Sequence, residues 1–166
     1  MTIFETENLL LRPFAEEDLN EAITLLQDKD FMAFSPNGTL DVEDAINRFY
    51  EILGHYERYG FGKLAIISKN TNKIVGYCGF EICTIDETDE AELGFRLVKN
   101  ERGHGYVVEV ASRLLKDMKN RNFKNVIAFS EEKNVPAHNL LKKLGFIKTF
   151  NSNFLNMDVV FFSKDL

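Results

Sequence analysis

Ala91-Glu92-Leu93-Gly94-Phe95-Arg96-Leu97-Val98-Lys99-Asn100-Glu101-Arg102-Gly103-His104-Gly105-Tyr106 is the stretch around which the rest of the chain can be ordered. Its first part alternates as a strand does, with Leu93, Phe95 and Leu97 on one face and Glu92, Gly94 and Arg96 on the other. The strand, read over Ala91–Val98, runs into a turn with two glycines, which let backbone approach a ligand closely. A helix follows over about Gly103–Asn120, carrying an apolar stripe of Val107, Val110, Ala111, Leu114 and Met118. The first amides of such a helix have no partner within it, and phosphate is their natural guest. A bare G-x-G also suits any loop that needs positive φ before a helix. A dinucleotide fingerprint would need a third glycine where Val108 stands, and a Walker loop would need Gly-Lys-Ser or Gly-Lys-Thr, which the chain lacks. A carboxylate, Glu92, thus shares a strand with a phosphate-binding turn.

Outward from this segment, Lys63–Ser68 and Lys73–Ile85 read as strands joined by the polar turn Asn70-Thr71-Asn72. Asn8–Pro13 is a short strand. Leu19, Ala22, Ile23 and Leu26 recur at helical spacing behind the acidic turn Glu16–Asp18. Ser35-Pro36-Asn37-Gly38 breaks the chain before a second helix, which starts at Asp41 with Asp44, carries Val42, Ile46, Phe49, Leu53 and Tyr56 as its apolar stripe, and ends near Tyr59-Gly60. Downstream, Val126–Ser130 is a buried-looking strand, Pro136 opens a short helix that Gly145 closes, and Phe146–Phe150 and Leu155–Ser163 are the last strands. This order predicts an α+β (mixed α/β) fold with a mostly antiparallel sheet covered by helices.

Composition sets the outer limits. A chain of 166 residues with 45% apolar content can bury about 70% of its unfolded surface in one core, so residues 1–166 are read as a single domain. A net charge of -6 and a pI near 5.2 argue against nucleic acid, which requires clustered Lys and Arg. The longest apolar stretches, such as Met157–Phe162, fall far short of the ~20 residues that cross a bilayer, and no charged-then-apolar leader opens the chain, so the expectation is a cytoplasmic protein. Cys78 and Cys83, five apart in one strand, point to opposite faces and cannot pair. His55, His104 and His138 show no ligand spacing, and no metal is expected.

Several blocks in this order, Glu7–Pro13, Ile74–Phe80, Ala91–Leu97, Arg102–Tyr106 with Glu109 and Ala111, and Asn134 through Lys143-Leu144-Gly145-Phe146, give nearly the whole chain a likeness to a known family. The sequence resembles the GNAT superfamily of acyl-CoA N-acetyltransferases, in particular the branch with the Rim-type ribosomal-protein N-terminal acetyltransferases. The resemblance implies a GNAT-like fold with one splayed parallel strand pair, helices on both faces, and acetyl-CoA as co-substrate. The pantetheine arm would enter between Ala91–Val98 and Val126–Ser130, bonded by backbone groups of Leu97 and Val98, while Arg102, Gly103, His104, Gly105 and Tyr106 hold the pyrophosphate. Asn134 matches a family asparagine that contacts the cofactor. Asn100 stands where the family usually has Gln or Arg, with Arg102 next door to supply the charge. Ala137 replaces a frequent serine, so the resemblance assigns no general acid.

N-acylation needs a neutral amine, donors for the developing oxyanion and a proton for the departing thiolate. A peptide α-amine with pKa ~7.8 is roughly a tenth neutral at pH 7, whereas lysine at ~10.4 is far less so; an α-amine therefore needs only a modest base. On the resemblance Glu92 is the first candidate and Glu81 the second, each of which could also be a solvated or ion-paired strand carboxylate. Phe31, Phe34 and the loop to Leu40 would line the acceptor cleft, because family enzymes often bind substrate over the early helices, whereas Phe95 and Phe146 read as core. The expected acceptor is a protein or peptide N-terminus. A polyamine, an antibiotic or another small amine is the enzymatic alternative, and a non-catalytic acyl-CoA-binding regulatory module is the rival of another class. The protein is expected to be a monomer or homodimer.

Overall fold

The computed structural model describes residues 3–166. Among the described residues the elements run β1 (Phe4–Glu5), β2 (Leu9–Pro13), α1 (Leu19–Leu26), α2 (Val42–Tyr59), β3 (Lys63–Ser68), β4 (Lys73–Ile85), β5 (Thr88–Leu97), α3 (Tyr106–Asn120), β6 (Asn125–Glu131), α4 (Val135–Lys143), β7 (Ile147–Phe154) and β8 (Met157–Asp165). The strands form one mixed sheet in the order β1-β2-β3-β4-β5-β6-β8-β7, with β5 and β6 parallel and the other pairs antiparallel. The expected α+β architecture is therefore the one observed. Contacts gather the chain into two compact units, one holding residues up to Gly79 with Gly94–His104, the other Phe80–Leu93 with Gly105–Leu166.

In the first unit α1 and α2 pack on β3 through Phe14, Ala22, Phe49, Ile52, Ala65, Ile67 and Ile74. All of β3 is buried, Lys63 and Ser68 included. The α2 start is as expected: Asp41 Oδ1 accepts from the Asp44 amide at 2.8 Å, and the helix ends on Gly60 in the left-handed region. Its buried stripe is Ala45, Phe49 and Ile52, and Val42 is exposed because it sits at the first helical position, past the edge of the core. Ahead of α1, Arg12 and Asp18 form a bidentate pair (Nη1 to Oδ2 2.6 Å, Nη2 to Oδ1 2.9 Å), and Asp18 Oδ2 also accepts from the Ala15 amide at 2.8 Å. Burial alone would push the Asp18 carboxyl up, but Arg12 and the Ala15 amide outweigh it and hold the group below its usual range. The bond to Asp18 in turn raises the Arg12 guanidinium.

In the second unit, the α3 stripe buries Val107, Val110, Ala111, Leu114 and Met118 as expected, together with Leu115. β6 pairs along its length with β8, from Asn125↔Asp165 to Glu131↔Val159. Two hairpin turns lie where the strand patterns do not place them. β5 begins at Thr88, three residues earlier than Ala91, because Asp86 and Glu87 (φ 48 and 66) make the two-residue left-handed turn that joins it to β4. Leu155, read as strand, belongs with Asn156 to the equivalent turn between β7 and β8 (φ 52 and 60). In each case the usual Asn-Gly signature is missing, and a single residue that favours positive φ, Asp86 or Asn156, is the only local marker. Neither Cys78, which is buried, nor Cys83, which is half-buried, forms a disulfide.

Candidate active site

The site begins where β4 meets β5. Gly76 is bare for lack of room: a Cβ there would lie 2.1 Å from the Arg96 carbonyl oxygen and 3.0 Å from the Leu97 Cα. Just beyond, the Val98 amide donates to the Val75 carbonyl at 2.8 Å and the Val98 carbonyl accepts from the Glu101 amide at 3.0 Å. Of the Val98 backbone groups, which the resemblance assigns to the cofactor, the N–H is thus taken by β4.

Lys99–Glu101 then form a single 3-10 turn, and Gly103 and Gly105 follow at φ 83 and 77. Nothing lies within 4 Å of where a Cβ would be at either glycine. These two are glycines for their backbone conformation and not for lack of space. They delay α3, which starts at Tyr106 and not at Gly103 as the periodicity suggested, because left-handed residues cannot belong to a right-handed helix. Gly105 is the N-cap and, having no side chain, brings no capping oxygen to the first-turn amides. An exposed, glycine-jointed turn leading into the positive end of a 15-residue helix fits a pyrophosphate.

Two arginines flanking this turn reach the loop between α1 and α2. Arg102 donates from Nε to the Leu97 carbonyl (3.0 Å) and from Nη2 to the Asp30 carbonyl (2.7 Å). Arg96 donates from Nε to the Tyr77 hydroxyl (3.0 Å) and from Nη1 to the carbonyls of Phe31 (3.2 Å) and Ala33 (2.9 Å). Guanidinium offers five donors in a rigid fork, so Arg102 retains N–H groups for an anion while it holds Asp30. The loop carries a core cluster of its own, in which Leu26, Phe31, Met32 and Ala45 are buried and Tyr77 and Val98 pack against them.

The two aromatic residues expected at the acceptor cleft therefore separate. Phe31 is 2% exposed, its ring edge-on to Tyr77, and it supports the loop from within instead of lining a surface. Phe34 is 44% exposed. Glu92 is half-buried on β5 at the register position paired in parallel with Ile127 of β6. Glu81 is half-buried on β4, an even number of residues from Tyr77 and so on the same side of that strand. His104 is exposed. Asn134 is the N-cap of α4: its Oδ1 accepts from the Ala137 amide at 3.3 Å, which accounts for the residue on structural grounds alone and leaves the amide nitrogen for other work. Arg96 and Tyr77 were not singled out from sequence. The available signal was Arg96 four residues after Glu92, a second charge on the same side of a strand whose other side is apolar. Among the described residues no three His, Cys, Asp or Glu side chains are grouped to hold a metal, and no helix is long and apolar enough to cross a membrane.

Residues 8–147 match the family model described as the acetyltransferase (GNAT) domain. The chain belongs to the GNAT acetyltransferase family. This acetyltransferase is 34% identical over 114 residues, 68% of its length and 67% of the relative's, to the uncharacterized N-acetyltransferase YjdG of Bacillus subtilis. A putative GNAT-family acetyltransferase from Bordetella pertussis superposes with a TM-score of 0.87 at 17% identity, covering 99% of both chains. RimL, a ribosomal L7/L12 α-N-protein acetyltransferase solved in complex with coenzyme A, superposes at 0.80 and 17% identity over 99% of this chain and 98% of its own. At such identities the structures speak for the fold alone. The family establishes the acetyltransferase as an acetyl-CoA-dependent N-acetyltransferase acting on an amine.

Proposed function

We propose that the acetyltransferase modifies the N-terminal α-amine of a protein or peptide, with Glu92 as the base. The observation that carries this reading is the half-buried carboxylate on β5, the strand that leads directly into the glycine turn. One carboxylate, acting directly or through a water, suits an amine already partly neutral at pH 7 better than it suits a lysine.

In this reading the amides from Arg102 to Tyr106 and the Arg102 guanidinium hold the pyrophosphate of acetyl-CoA, with His104 beside it. Leu97 backbone, the second lone pair of the Val98 carbonyl and the Asn134 amide hold the pantetheine arm. The amine nitrogen attacks the thioester carbonyl as Glu92 accepts its proton. The tetrahedral centre then collapses with cleavage of the C–S bond, and the thiolate takes up a proton to leave as CoA. Glu81 is the second candidate for the base.

The test is release of free CoA with three acceptors: a short peptide with a free N-terminus, spermidine and an aminoglycoside. Turnover of the peptide by at least tenfold over the others is expected, with a thermal shift on addition of CoA. Preference for spermidine or the aminoglycoside would overturn the acceptor class, and binding of CoA with no turnover of any amine would favour a non-catalytic module. Glu92→Gln is expected to lower kcat about 100-fold between pH 6 and 9; near-normal turnover would remove Glu92 from the role.

A further inference from the structure

The loop between α1 and α2 contains an arrangement that packing does not explain. Phe34 sits at φ 62, in the left-handed region that bulky residues rarely adopt, and its ring is exposed. The next residue, Ser35, has its hydroxyl buried without a hydrogen-bond partner. Two adjacent unfavourable features persist only where the surroundings impose them, and such features gather at binding and catalytic sites. The imposing groups are two arginines bonded to backbone carbonyls of the loop. The carbonyls of Asp30, Phe31 and Ala33 lie within a run of tight turns, in which the Met32 amide donates to the Asp28 carbonyl, the Ala33 amide to the Asp30 carbonyl and the Ser35 amide to the Met32 carbonyl. Arg102 takes the first of these carbonyls, and Arg96 takes the other two. Arg96 is itself braced by the Tyr77 hydroxyl, and the Tyr77 ring by Phe31. The residue immediately after the last clamped carbonyl is Phe34.

We propose that Arg96 is a positioning residue, assisted by Arg102, which forces the Asp30–Ser35 turn to present Phe34 as the side chain that selects the acceptor. The inference rests on the peptide α-amine reading, and it adds a positioning residue, Arg96, on the strand that carries Glu92. An exposed aromatic ring on a braced stretch of backbone favours an acceptor with an apolar or aromatic group beside its amine, since such a ring offers a large contact face with few rotatable bonds. Arg96 and Arg102 are bonded to carbonyls of this loop, so a cation holding the cofactor's phosphates and the turn presenting the acceptor share one support.

Two readouts test this. The first is limited chymotryptic cleavage after Phe34, which requires no activity. Arg96→Ala is expected to speed cleavage there at least tenfold, with Arg96→Lys between it and the wild type, while cleavage after Tyr59 and Phe150 is unchanged. Cleavage at Phe34 no faster than wild type, or equally accelerated at all three sites, would overturn the positioning role. The second is a kinetic split with a short peptide bearing phenylalanine at its second position. Phe34→Ala should raise the peptide KM at least tenfold, with kcat and the KM for acetyl-CoA within twofold. An unchanged peptide KM would sink the selecting role. Should no peptide be turned over, the acceptor reading itself fails, and the cleavage rates still decide the role of Arg96.

Discussion

Two turns flank the end of β5, and they solve the same backbone problem in opposite ways. In the turn from Val98 to Tyr106 the left-handed positions are glycines, Gly103 and Gly105, which adopt them without penalty and with open space around them. In the loop from Asp28 to Leu40 one left-handed position is also a glycine, Gly38, but the other is Phe34, followed by a buried hydroxyl with no partner. The first turn takes its shape from local chemistry. The second takes its shape at Phe34 from arginines more than sixty residues away in the chain. A turn that must yield its amides to an anion benefits from being relaxed, whereas one that must display a particular ring can be held under strain by bonds from elsewhere.

The largest expected effect comes from removing the support common to both. Gly76→Ala would drive a Cβ into the Arg96 carbonyl and displace the backbone from which both turns hang, lowering stability by about 3 kcal/mol in denaturant titration and weakening both CoA binding and the protection of Phe34 from chymotrypsin. A comparably stable enzyme with its turns intact would show that β5 is not the shared support. Arg12→Ala, far from both turns in function, should cost about 2 kcal/mol by leaving Asp18 buried beside α1 without its partner. The sign with pH follows from the lowered carboxyl: its stabilisation is complete above the ordinary carboxylate range and disappears as pH falls through the depressed folded value. The gap between Arg12→Ala and wild type should therefore be full at pH 7 and narrow steadily below about pH 4.

Smaller effects separate the turns. Gly105→Ala places a side chain in the left-handed region without a clash, so stability should drop by about 1.5 kcal/mol, and calorimetric titration should show weaker acetyl-CoA binding. Ser35→Ala removes the orphaned hydroxyl and should stabilise the protein by about 1 kcal/mol. Phe34→Gly should be the mildest, a gain of about 0.5 kcal/mol as relief of the left-handed strain is partly offset by the extra freedom of the unfolded chain. A loss of stability in both loop variants would mean that the loop is not strained, and the contrast would fall.

Much of the architecture was legible because it is written in short-range patterns. The α3 stripe, the Asp41 cap and Gly60 stop of α2, and the two glycines before Tyr106 are each signalled within a few residues of where they act. The hairpin turns at Asp86-Glu87 and Leu155-Asn156 were less so, because each has one residue that favours positive φ, Asp86 or Asn156, beside one that does not, Glu87 or Leu155, which is held there by the pairing of the strands it joins. The candidate site divides in the same way. Glu92 and the glycine turn were readable from alternation and motif, while Phe31 and Phe34, equivalent to the eye in sequence, parted only when one ring went into the core and the other stayed outside.

What the sequence alone determined is therefore the order of elements, the phosphate-binding turn and the family resemblance, since strand alternation, helical stripes and glycine conformational freedom are properties of neighbouring residues. Tertiary structure decided that Gly76 has no room for a side chain, that the Val98 amide is already taken by Val75, and that Arg96 grips the loop bearing Phe34. Each of these joins residues at least twenty apart in the chain, and a hydrogen bond or a steric limit between such residues exists only once the strands have been brought side by side.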